Sequence, residues 1–192
     1  MREDYAIVLD YLANGYAGAF KKEPIVQAIG EKYFALLELV PRPDVKISLN
    51  DKIYIGPDKR DTVQYIKGRL EYSKMTATAR NEMKAYVERI VNEKEKEFVE
   101  FFNKAGSITL RQHSLELLPN IGKKHMLAII DERDKKPFES YKDITDRINL
   151  MPDPKRVLVE RILEEMQGES KYYLFVKSAP RSTAYGSSSQ GI

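Results

Sequence analysis

Leu117-Leu118-Pro119-Asn120-Ile121-Gly122-Lys123-Lys124-His125-Met126-Leu127-Ala128-Ile129-Ile130 is the stretch from which the fold and the chemistry of this chain are best read. Two apolar segments flank a Pro-Asn-Ile-Gly run, so the chain must reverse over very few residues while its amides stay free. Asn120 is the non-glycine type that best tolerates φ > 0, and Ile121 is expected to plug the core beneath the turn. Gly122 is expected to let a ligand approach the backbone closely. If Gly122 is left-handed, any side chain there costs about 1–2 kcal/mol. The amides from Gly122 to Lys124 then open a helix with its positive dipole end outward, for which a phosphate oxygen is the natural guest. Lys123 and Lys124 add formal charge in the same turn.

The stretch resembles the helix-hairpin-helix motif, departing from it at Asn120, where the first hairpin glycine usually stands. A second copy follows. Pro119-Asn120 and Lys123-Lys124-His125-Met126-Leu127-Ala128-Ile129-Ile130 match Pro152-Asp153 and Lys155-Arg156-Val157-Leu158-Val159-Glu160-Arg161-Ile162. One such unit cannot bury its apolar face alone, so the two are expected to pair around Leu118, Met126, Leu127, Ile130, Leu158, Val159 and Ile162. In this match Pro154 stands where Gly122 does and removes that amide. The second copy therefore reads as mainly structural, with Lys155 and Arg156 as auxiliary phosphate contacts beside Asn120, Ile121, Gly122, Lys123 and Lys124.

Working outward, four short helices are expected over residues 107–168, with capping boxes at Thr109-Leu110-Arg111-Gln112 and Ser140-Tyr141-Lys142-Asp143. Pro119, Pro137, Pro152 and Pro154 punctuate them and Gly168 stops the last. Upstream, Ala79, Met83, Tyr86, Val87, Ile90, Val91, Phe98, Phe101 and Phe102 recur at spacings of three or four, predicting one helix from Thr76 to Asn103, about 42 Å long at 1.5 Å per residue. The first 70 residues are rich in β-branched and aromatic residues broken by Gly and Pro. Tyr5–Leu9, Ile25-Val26 and Tyr33–Val40 read as strands, and Val45–Leu49 with Lys52–Pro57 reads as a hairpin turning at Asn50-Asp51. About five strands in that length fit a small barrel, for which the OB-fold is the commonest five-stranded candidate. Lys171–Val176 reads as a final strand returning to the β-domain or packing on the long helix, and a Ser-rich tail follows.

The expected class is therefore α+β: an OB-like β-barrel over residues 1–72, a connecting helix over 73–106, a double helix-hairpin-helix domain over 107–170, and a terminal strand and tail over 171–192. In 192 residues and 22.2 kDa, 32 Lys and Arg oppose 29 Asp and Glu, a net charge of +3, and no long segment is strongly basic. Any nucleic-acid contact must therefore be a local patch. No apolar run approaches the roughly 20 residues of a membrane span, and no signal segment follows Met1-Arg2-Glu3-Asp4, so a cytoplasmic protein without membrane partners is expected. Zero cysteines exclude disulfide, thiol and zinc-ribbon chemistry, and two histidines leave little for a metal centre. No P-loop, Rossmann, GxSxG or HExxH pattern occurs, so neither a cofactor nor an enzymatic activity is expected. His113 and His125 read as surface or capping residues, and Tyr33, Phe34 and Tyr54 as core residues before base-stacking ones.

Over nearly the whole of residues 1–176 the chain resembles the archaeal domain-of-unknown-function 655 family. Tyr5–Leu12, Gly30–Glu38, Phe101–Ala105 and the Leu118–Lys124 hairpin carry the resemblance. It implies an OB-like domain joined to a helix-hairpin-helix domain, an RNA-binding role, and no established activity. Similar proteins are often encoded beside translation genes, which implies RNA rather than DNA. Two functions follow as expectations: a non-catalytic binder of structured RNA gripping the phosphate backbone, and a protein-interaction adaptor on translation or transcription machinery, which the near-neutral segments favour.

Overall fold

The computed structural model describes residues 3–18, 20, 22–168 and 170–177; the Ser-rich tail from 178 onward lies outside them. The N-terminal half is a curled five-stranded antiparallel sheet, a half-barrel. Its strands are β1 (Tyr5–Leu12), β2 (Ile25–Gly30), β3 (Leu36–Pro41), β4 (Lys52–Tyr54) and β5 (Val63–Arg69), in the order β4-β1-β2-β3-β5. Register shifts between Val8 and Asp10, and in β3 between Glu38 and Leu39 and between Val40 and Pro41, sharpen the local twist. One face of the sheet buries Ala6, Val8, Val26, Ala28, Leu39 and Val63. The alternate residues Ile7, Leu9, Ile29 and Leu36 belong to a second core that continues through the helices. Both faces of β1 are thus dry, as its unbroken Ala-Ile-Val-Leu run demands.

The expected hairpin at Val45–Leu49 is not formed. Val45 and Ile47 are half-buried as their alternation requires, but Ser48 N–H donates to Asp51 Oδ2 and the following strand pairs with β1, Tyr5 opposite Tyr54 and Ile7 opposite Lys52. Alternation reports which side chains face inward and leaves the pairing partner open. The remaining strand is β5, paired to β3.

Helix α1 (Ala77–Glu93) is pinned to the sheet at its start. Thr76 Oγ1 accepts from Ala79 N–H and donates to Asp10 Oδ2 at 2.6 Å. The buried Gln27 accepts from Thr76 N–H and donates to the Lys74 carbonyl. The single long helix is in fact two, because α2 (Glu95–Lys104) begins after a break at Lys94, φ −100° and ψ 36°. Tyr141 explains the break: its hydroxyl donates to the Val91 carbonyl at 2.7 Å, the acceptor that Glu95 N–H would use in an unbroken helix, and Glu95 Oε1 accepts from Tyr141 N–H.

A two-stranded ribbon follows, β6 (Ser107–Thr109) with β7 (Gln112–His113), so Thr109 starts a turn and not a helix. The capping arrangement lies four residues later: His113 Nδ1 accepts from Leu115 N–H, and Glu116 accepts from His113 N–H, at a 3-10 turn over Ser114–Leu117. Then come α3 (Lys123–Lys135), α4 (Tyr141–Arg147) and α5 (Pro154–Gln167). Ser140 caps α4 through Asp143 N–H, and Gly168 ends α5 at φ 84°, as their types predict. Residues 171–176 form no strand. The amides of Leu174, Phe175 and Val176 go to the Glu165 carboxylate at 2.7–2.9 Å, and Arg161 holds that carboxylate from within α5 at 2.9 Å while its other nitrogens reach Glu164 and the Tyr172 carbonyl. Among the described residues no helix is long and apolar enough to cross a membrane.

Candidate functional site

The turn between the 3-10 segment and α3 is built as its residues require. Ile121 is 3% exposed and its N–H closes the turn on the Leu118 carbonyl at 3.1 Å. Asn120 takes the left-handed conformation, φ 62°. Gly122 does not: it is the extended N-cap of α3, φ −88° and ψ 179°, so the strain argument for this glycine fails. Space remains open above Gly122: a Cβ built there meets no atom of the described residues within 4 Å, as is also true at Gly18, Gly68 and Gly106. Among the described residues no side chain caps this helix. The first helical bond is Met126 N–H to the Gly122 carbonyl, so the amides of Lys123, Lys124 and His125 have no acceptor within α3. Lys123 and Lys124 are exposed.

The second turn repeats the first with different chemistry. Met151 N–H closes it on the Ile148 carbonyl at 3.3 Å, and Leu150 occupies the left-handed position, φ 56°. Its N-cap is Asp153, whose carboxylate accepts from Lys155 N–H at 3.0 Å. The equivalent of Gly122 is therefore Asp153, and Pro154 stands where Lys123 does, a one-residue shift from the match of basic pairs. Each auxiliary cation also has an intramolecular partner: Arg156 Nε meets Glu160 at 2.7 Å, and the Lys155 ammonium lies over the Tyr141 ring at 5.7 Å. A capping carboxylate already occupies the place an anion would take.

The two turns are side by side. His125, in the first turn of α3, sits with Nε2 3.1 Å from the Leu150 carbonyl oxygen, so Nε2 carries the proton. The paired core holds Leu118, Met126, Leu158, Val159 and Ile162, while Leu127 is exposed. His113 is a cap, and burial, reinforced by Arg133, holds its imidazole below the ordinary histidine range against the pull of Glu116. Phe34 is core, Tyr54 packs edge-on against Tyr5 and bonds Asp58, and Tyr33 is half-buried. The sequence reading missed the His125–Leu150 tie and the exposed Leu150; a histidine three residues past the N-cap and a leucine in a loop carry no local signal of either.

The family model described as "Protein of unknown function (DUF655)" matches residues 2–177, and the chain belongs to that family. It is similar to the uncharacterized protein MJ0038 of Methanocaldococcus jannaschii, 46% identical over 177 residues that cover 91% of this chain and 80% of that one. It is also similar to Af1531 of Archaeoglobus fulgidus, whose crystal structure carries the same family model: 43% identity, TM-score 0.79, covering 91% of this chain and all of that one.

Proposed function

We propose that this DUF655 protein binds structured RNA without catalysing a reaction, gripping the phosphate backbone at the turn before α3. The observation that carries the reading is the contrast between the two N-caps. Gly122 leaves its helix end uncapped and sterically open beside two exposed lysines, whereas Asp153 closes the equivalent end with a carboxylate. An anion finds free amides, a helix dipole and formal charge at the first end only. In this reading the two turns are paired helix-hairpin-helix units, and the sheet is OB-like in its strand order β4-β1-β2-β3-β5, with β5 reversed so that it runs antiparallel to β3. Phosphate contacts position without reading sequence, so discrimination among RNAs rests on shape and on other surfaces.

The test is the salt dependence of binding to an RNA hairpin. Replacing Lys123 and Lys124 with Ala lowers affinity and flattens the slope of log K against log salt by up to about two phosphate equivalents. An unchanged slope removes the clamp.

The adaptor reading is favoured by Leu110, fully exposed (107%) at the tip of the β6–β7 ribbon beside Ile108 (37%). Exposed aliphatic side chains on a projecting tip suit a protein partner. A Leu110→Ser variant with wild-type RNA affinity separates that surface from the clamp.

A further inference from the structure

A second concave feature lies away from both turns, where α2, the β2–β3 turn and residues 174–177 enclose a cleft of about 500 Å³. Its apolar wall is aromatic: Phe175 packs between Phe98 and Phe101, ring centroids 5.8 and 4.9 Å away, and the half-buried Tyr33 lines the cleft with them. Buried carboxylates fix these rings in place. Glu3 accepts from Tyr33 N–H at 2.8 Å, Glu165 accepts from Phe175 N–H at 2.9 Å, and Lys177 N–H donates to the Tyr33 carbonyl at 3.0 Å, joining the two walls. The site is preorganised by two buried carboxylates and one backbone bond that hold the main chain beneath the rings.

The charges around it do not cancel. Lys94 pairs with Glu97, Lys104 with Glu100 at 2.7 Å, and Glu31 with Lys52 at 2.8 Å. Lys32 and Lys177 have no ion pair among the described residues, and each holds its ammonium 5.4 Å from the centroid of the Tyr33 ring. Two uncompensated cations at one end of an aromatic cleft match a ligand that is planar and apolar at one end and anionic at the other. We infer that this cleft binds a nucleotide, its base on the Phe101 and Phe175 rings and its phosphate at Lys32 and Lys177. Stacking on aromatic faces accepts any base, and the ammonium groups supply charge-assisted contacts to phosphate. The inference does not depend on the turn before α3.

Amide spectra of the full chain, titrated separately with 5′-AMP, inorganic phosphate and hexauridylate, test it. AMP is expected to shift Tyr33, Phe101 and Phe175, and a Lys32→Ala, Lys177→Ala double variant to weaken its binding about tenfold with the fold unchanged. Phe101→Leu keeps the apolar packing and separates the stacking contribution from the charge. Shifts at the same residues with hexauridylate and not with AMP support the cleft as a site for a nucleotide within a strand. Phosphate binding as tightly as AMP overturns the proposal in favour of a plain anion site, and no shift at these residues with any nucleotide overturns it outright.

Discussion

His125 Nε2 stands 3.1 Å from the carbonyl oxygen of Leu150, and this bond locks the turn before α3 against the turn before α5. It joins the uncapped helix end to its carboxylate-capped counterpart. His125→Ala removes one partly exposed hydrogen bond, so urea denaturation should show a loss of about 1 kcal/mol.

Leu150 sits at φ 56° with 80% of its surface exposed, so no core contact offsets its left-handed backbone. Phe34, at φ 55°, is buried and differs in this respect. Leu150→Asn should stabilise the protein by roughly 1 kcal/mol, because asparagine visits this region far more readily. A lower thermal midpoint in the variant would show that Leu150 makes contacts that matter.

Glu165 and Arg161 are both buried and together fasten residues 172–176. Glu165→Gln strands a buried guanidinium and weakens three amide contacts, and should cost about 3 kcal/mol. Urea denaturation measures the loss, and limited proteolysis should cut first within residues 171–177. A variant as stable and as resistant as wild type would mean that the segment is held by its aromatic packing alone.

The Tyr86 hydroxyl is buried without a hydrogen-bond partner among the described residues, and burial pushes its pKa up to about 12. Tyr86→Phe deletes an unsatisfied polar atom at constant shape. Its expected effect is a gain of about 1 kcal/mol, read as a rise of about 2–4 °C in the thermal midpoint.

His113 accepts the Leu115 amide only when Nδ1 is unprotonated, and burial lowers its pKa in the native state. A histidine depressed in this way contributes stability that is fully present above its unfolded pKa of about 6.5 and is lost as pH falls through the lower native value. The midpoint of wild type should therefore fall relative to that of His113→Asn, a cap that does not titrate, between about pH 7 and pH 5. Parallel pH profiles would contradict the capping role.

The turn at Asn120 and Ile121 and the helix stop at Gly168 were legible because each rests on residue types with few alternatives. The break at Lys94 was not, since no Gly or Pro marks it and its cause, Tyr141, lies 47 residues downstream. Arg161 and Glu165 have the spacing of an ordinary surface pair, and only the fold shows that residues 172–176 cover them. Val45–Leu49 alternates like a strand yet pairs with no strand among the described residues, because register and partner are decided across the sheet. At the site, Gly122 reads in the sequence as a point of close backbone approach, with left-handed strain as a further condition; its extended backbone removes the strain argument and leaves the missing side chain as the relevant property.

That correction provides the most direct test of the central claim. Because Gly122 has φ −88° and open space above its Cα, Gly122→Ala adds one methyl group where nothing among the described residues obstructs it. The variant should stay folded, with at most about 1 kcal/mol lost from the weaker N-cap. Binding of an RNA hairpin to wild type and variant is measured at two salt concentrations below the unfolding range of both. Phosphate held at the turn before α3 predicts a clear fall in affinity, because the methyl group blocks close approach to the backbone. Wild-type affinity at both salt concentrations in the folded variant would contradict it.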